Sequence, residues 1–105
     1  MIILVYWLPG SWKSRASEII HKKLGSSSVI IQTDAIHKEL FPTPKYSLEE
    51  SEKTFTVLYQ RVEKRAWNNS IIIVDGVFSK RSERERIYTI AEKHQIPCFG
   101  VLITA

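Results

Sequence analysis

Apolar runs rich in β-branched residues recur at Ile2 to Tyr6, Ser28 to Gln32, Ile71 to Val74 and Phe99 to Ile103. Runs of this kind read as parallel strands buried on both faces, where alternation with polar residues is lost. Between them the apolar positions repeat every three or four residues, which predicts helices. The first helix runs from near Lys13 to Leu24, with Ala16, Ile19, Ile20 and Leu24 turned to the sheet and Gly25 ending it. A second starts at Asp34, a natural N-cap, and ends before Pro42, because the residue before proline is pushed out of the α region. Pro42 to Tyr46 is a loop. The third and longest opens at Ser47, with Glu50 three residues on as the partner of a capping box. Its inward stripe is Leu48, Phe55, Leu58 or Tyr59, Val62 and Ala66. A fourth spans about Ser79 to Gln95, is ended by Pro97, and offers Ile87, Ile90 and Ala91 to the core. The order β, α, β, α, α, β, α, β predicts an α/β fold with right-handed crossovers.

Composition changes this picture little. A chain of 105 residues suits one domain with one core, and 44% hydrophobic with 25% charged residues is ordinary globular usage. The formal charge of +4 is compatible with a phosphorylated partner and decides nothing by itself. A single cysteine, Cys98, excludes an internal disulfide and any multi-cysteine metal site. It reads as a buried strand residue. The apolar opening from Met1 to Leu8 is too short to span a membrane and lacks a basic leader, so the expectation is a cytoplasmic protein. His21 and His94 have no metal-ligand spacing with any other His or Cys and read as surface residues.

The chemistry lies after the first strand, at Trp7-Leu8-Pro9-Gly10-Ser11-Trp12-Lys13-Ser14. With Gly in place of the two Trp this is a phosphate-binding Walker A loop, between a buried strand and a helix N-terminus whose N–H groups converge on an anion. Lys13 would reach the β- and γ-phosphates of ATP, and the Ser14 hydroxyl would ligate Mg²⁺. Such a loop needs glycine for positive φ and for close approach of backbone to phosphate. An indole at position 12 fills the volume of the β-phosphate.

Further motifs stand in order along the chain. Gln32-Thr33-Asp34 closes the second strand, Ile36-His37-Lys38-Glu39-Leu40 follows on a helix, Ile72-Ile73-Val74-Asp75-Gly76 resembles a Walker B strand, and Phe78-Ser79-Lys80-Arg81 leads a basic segment with Arg84 and Arg86. Together with Leu8-Pro9-Gly10-Ser11 these resemble the small P-loop kinases, the polynucleotide 5′-kinase, chloramphenicol phosphotransferase and zeta toxin-like group of AAA-type ATP-binding proteins. The resemblance covers nearly the whole chain. It implies a three-layer α/β/α P-loop NTPase fold with a parallel sheet, ATP and Mg²⁺ on residues 7 to 14, and transfer of the γ-phosphate to a hydroxyl of a small molecule or a polynucleotide end. Asp34 matches the position near the acceptor hydroxyl and would act as general base with Lys13 as the other catalytic group; a helix N-cap is its alternative. Asp75 would help to hold the metal, and a capping role is its alternative. His37 stands where the family commonly has Arg. It and Arg81 are the candidates for contact with substrate, although His37 and Lys38 also read as a solvated helix face, and the charges around Arg81, Arg84 and Arg86 as a salt-bridged exterior.

The tryptophans admit two readings. Either the loop has lost its glycines, leaving a non-catalytic pseudokinase-like P-loop domain that binds a partner or RNA, or Trp7 and Trp12 are UGA codons read as tryptophan where the source reads glycine. The chain carries 4 Gly and 3 Trp; reading every Trp as Gly gives 7 Gly in 105, the average share of about 7%. That favours the decoding account, under which Trp67 is a C-cap glycine. The resemblance also implies a lid helix and a fifth strand after the fourth. The expectation is therefore residues 1–105 as a kinase-like domain with four of five strands, cut before the lid and last strand, and marginal in stability or prone to self-association.

Overall fold

The computed structural model describes residues 1–7, 16–43, 45, 47–68, 70–78 and 80–103. Four strands form one sheet: β1 (Ile2–Trp7), β2 (Ser28–Gln32), β3 (Ile71–Val77) and β4 (Cys98–Ile103), in the spatial order β2-β3-β1-β4. All three pairings are parallel. The helices are α1 (Ala16–Leu24), α2 (Thr33–Leu40), α3 (Leu48–Ala66) and α4 (Arg81–Lys93), with one turn of 3₁₀ helix at Gly25–Ser27. The helices pack with α1 on one face and α2, α3 and α4 on the other, a three-layer α/β/α arrangement. No helix among the described residues is long and apolar enough to cross a membrane.

The main core lies under the three-helix face. Ile2, Leu4, Ile72 and Val74 of the sheet meet Leu58 and Val62 of α3, Ile87 and Ile90 of α4, and Phe78. Burying a side chain of this size contributes about 1.5–3 kcal/mol. On the opposite face Val5 and Ile73 are also buried. Phe99 and Val101 of β4 share that face through their register with Ile3 and Val5, yet Phe99 is 54% exposed, since among the described residues α1 packs mainly on β2 and β3.

Several local expectations change. The α1 helix is turned so that Ser17 is buried while Ile19 is 56% exposed and Leu24 is also exposed. Gly25 does end it, with φ of 72°. Asp34 is not an N-cap: α2 begins at Thr33, Gln32 takes the cap position, and Asp34 is the second helical residue. Ser47 caps α3 by accepting from Glu50 N at 3.2 Å. Leu48, expected inward, is 65% exposed on the first turn, ahead of the point where α3 meets the sheet. β3 continues through Asp75 to Val77, so Asp75 lies within the strand instead of closing it. Trp67 does hold the C-cap of α3, but with φ −69° and ψ −20°, a right-handed conformation that does not call for glycine.

Candidate functional site

β1, β2 and β3 end together at the carboxyl edge of the sheet, where open α/β folds bind their ligands. Trp7 is the last residue of β1, in register with Val77, so residue 8 begins the connection to α1 at this edge. Leu8, Pro9, Gly10, Ser11, Trp12, Lys13 and Ser14 lie outside the described residues, as does the expected start of α1.

Asp75 sits on β3 one strand from the end of β1 and is 5% exposed. Its Oδ2 accepts from the Ser17 hydroxyl at 2.6 Å and from Gln32 Nε2 at 3.3 Å, linking α1, β2 and β3 through one oxygen. The buried Ser17 explains the turn of α1: its polar residue faces the sheet because a carboxylate waits there. A buried carboxylate is stable only with such donors or a cation. The next residue, Gly76, carries its own requirement. A Cβ there would stand 2.5 Å from Thr33 Oγ1 and 2.6 Å from Thr33 Cγ2, so only glycine lets the start of α2 close on β3.

That contact brings the first turn of α2 over the sheet edge and opens a cleft of about 190 Å³ between α2 and α3. Asp34, His37, Ser51, Thr54 and Phe55 line it, with Val77 beneath. Asp34 and His37 are three residues apart on α2 and so share a face. Asp34 is exposed and at the positive end of the helix dipole, a place that favours its charge. His37 is half-buried, not on a solvated face: its Nε2 lies 3.0 Å from Glu50 Oε1. Glu50 also accepts from Lys45 N, at 3.2 Å to Oε1 and 3.0 Å to Oε2. The expected capping box is therefore half made, with the Glu50 carboxylate spent on His37 and the preceding loop. The Thr54 hydroxyl donates to Glu50 O at 2.8 Å, and Phe55 meets Phe78 edge to face at 5.3 Å between centroids.

Other candidates lie apart. Arg81 does not line the cleft; its exposed guanidinium pairs with Glu85 one turn on at 3.0 Å. Arg84 donates to Phe78 O at 2.7 Å and lies over the Tyr6 ring, bracing α4 against the sheet, while Arg86 lies over Tyr59 and braces it against α3. His21 and His94, expected on the surface, are each partly buried. His21 Nδ1 is 2.7 Å from Ser28 Oγ, and the His94 side chain is buried, 3.4 Å from Glu63 and edge-on to Trp67. Burial pushes the half-buried Cys98 thiol up to about 11, which keeps it protonated and unreactive at neutral pH. Ser17, Ser51 and Thr54 carry no signal in the sequence, as ordinary polar residues reveal a role only when the fold sets them beside a carboxylate or a cleft, and Gln32 figures there only as part of the Gln32-Thr33-Asp34 motif.

The sequence profile of the family described as "AAA domain" matches residues 2–105. The chain belongs to that family. Among the solved structures similar to this AAA-domain chain, two are kinases by their descriptions. The Pnkp1/Rnl/Hen1 complex aligns with a TM-score of 0.78 at 14% identity over 99% of this chain and 35% of that one. The APS kinase of Mycobacterium tuberculosis, in a cysteine-to-alanine variant, gives 0.77 at 18% identity over 96% of this chain and 73% of that one. A candidate kinase from Chloroflexus aurantiacus gives 0.77 at 15% identity over 96% and 57%. At these identities the likeness is one of fold: the domain is built as P-loop kinases are. No curated protein sequence matches the chain. It spans 35% of the length of the first of these structures.

Among the described residues no three His, Cys, Asp or Glu gather as a metal site. Mg²⁺ does not need one. It is held in nucleotide sites by one or two oxygen ligands, water and the phosphates themselves. A buried carboxylate oriented by Ser17 and Gln32 at the sheet edge fits that manner of binding.

Proposed function

We propose that this protein is an ATP-dependent phosphotransferase of the small P-loop kinase type, acting on a hydroxyl group. The observation that carries the reading is the cleft that sets Asp34 and His37 over the carboxyl edge of the sheet, near the end of β1. ATP would lie on residues 7 to 14, with Lys13 on the β- and γ-phosphates. Ser14 and Asp75 would hold Mg²⁺, which neutralises charge on the phosphates. Asp34 accepts the proton of the acceptor hydroxyl as its oxygen bonds to the γ-phosphorus and ADP departs. His37, held by Glu50, orients the acceptor from the same helix face; Arg81 would have to leave Glu85 to take part.

The size of the cleft supports a small acceptor. About 190 Å³ is below the roughly 300–1,000 Å³ of sites for drug-sized ligands. The Ser51 and Thr54 hydroxyls beside the Phe55 ring suit a compact molecule bearing several hydroxyls. The locale we propose is the cytoplasm, where ATP is at hand.

The test is calorimetric titration of ATP with Mg²⁺ into two proteins, one with the sequence as given and one carrying Trp7→Gly and Trp12→Gly. Binding by the glycine form alone supports a decoding origin of the tryptophans. Binding by neither form would falsify the kinase reading. Sequencing the gene is independent of both: UGG codons at 7 and 12 remove the decoding account.

A further inference from the structure

Among the described residues the sheet order leaves β2 paired on one side only, by β3. Its other edge opens on a groove of about 550 Å³ that shares no lining residue with the cleft over Asp34. The floor is β2 itself, residues 29 to 32, with the start of α2 beside it; the wall is α3, through Arg61, Lys64, Arg65 and Asn68. These four stand at i, i+3, i+4 and i+7, one stripe of the helix.

Two properties of this place point to one kind of partner. First, the strand edge is competent to pair. Natural proteins blunt such edges with charges, proline or bulges on the strand, and Val29-Ile30-Ile31-Gln32 carries none of them. Second, the wall is cationic. Arg61 is matched by Glu39 at 2.8 Å, but Lys64 and Arg65 are exposed and have no counter-ion among the described residues. The spacings agree as well. Residues 61 and 65 are about 6 Å apart along the helix axis, and alternate side chains of a strand are about 6.6 Å apart. An added strand with acidic residues at every second position would meet the stripe while its backbone pairs with β2.

We infer that the β2 edge and the Lys64–Arg65 wall form a docking site for an extended acidic segment of a partner protein, added to the sheet as a strand. Main-chain hydrogen bonds to β2 supply affinity and the carboxylates supply selection. No aromatic side chain lines the groove among the described residues, which disfavours single-stranded nucleic acid, whose bases stack on aromatic platforms.

The experiment is fluorescence anisotropy of a labelled eight-residue peptide of alternating Glu and Val or Ile, titrated with the intact protein at low salt. The expected result is saturable binding, weakened at least tenfold when the amides along one edge of the peptide are N-methylated at unchanged charge. A Lys64→Glu/Arg65→Glu variant should lose at least tenfold. Both residues are exposed, so circular dichroism should show that variant folded. Absence of binding, equal binding of the N-methylated peptide, full binding by the variant, or tighter binding of an oligouridylate of equal charge would each overturn the proposal.

Discussion

Asp75 and Asp34 stand at the same edge of the sheet and are placed by opposite means. Asp75 is enclosed, on a central strand, with Ser17 and Gln32 donating to one of its oxygens. Asp34 is exposed on the first turn of a short helix, placed by the backbone of α2 and by the dipole at its start. The difference separates two kinds of functional carboxylate. One is part of the packing and cannot be altered without disturbing the fold, whereas the other stands exposed on the wall of the cleft, open to a ligand.

The sharpest test of that division is Asp34→Asn in the glycine-restored protein. Phosphate transfer should fall by about 10²- to 10⁴-fold, the usual loss on removing a general base, with the midpoint of urea unfolding unchanged. Activity within tenfold of the parent would remove Asp34 from the base role. Asp75→Ala should instead lower stability by about 1–3 kcal/mol, because the buried Ser17 hydroxyl loses its acceptor. Adding Ser17→Ala should cost little further, and strict additivity in urea melts would show that the pair is not coupled.

Gly76→Ala probes how Asp75 comes to lie near α2. Its Cβ would meet Thr33 at 2.5 Å, and the strain should cost about 1–3 kcal/mol. Thr33→Ala in the same chain should return most of the loss. Smaller still is an alkaline effect far from both carboxylates. Burial, helped by nearby Glu83, raises Tyr59 to about 12 from an ordinary 10.0. The unfolded chain therefore releases this proton first, and the contribution to stability is complete below pH 10 and lost as pH rises toward 12. Tyr59→Phe should flatten that part of a stability-versus-pH curve. At the floor of the comparison, Arg61→Ala breaks an exposed pair with Glu39 and should leave the midpoint of urea unfolding almost where it was, since solvent screens such pairs.

The strands and the order of elements were legible because buried parallel strands are written as uninterrupted β-branched runs. The edge of the sheet was legible too, since Asp34 and Asp75 follow or lie within such runs. What escaped was orientation. α1 was read from Ile19 and Leu24 as an apolar face, but the strongest demand on its rotation is the Ser17 hydrogen bond to a residue 58 positions away. Glu50 illustrates the same difficulty. Its spacing from Ser47 spells a capping box, and only the fold brings His37 and Lys45 N close enough to claim the carboxylate. His94 read as a surface residue because nothing local shows that Trp67 will cover it.

The contact between Thr33 and Gly76 has a mechanical consequence. Each is the immediate chain neighbour of one of the two carboxylates, and the side chain of Thr33 rests directly on the backbone of Gly76. Asp34 and Asp75 are therefore carried on one rigid coupling, and a displacement of α2 that moved the first would have to bend the central strand that bears the second. The facing wall, Ser51, Thr54 and Phe55 of α3, is held to the same helix through the contact of Glu50 with His37. The contact between Thr33 and Gly76 thus acts as a spacer that keeps the distance between the two acids.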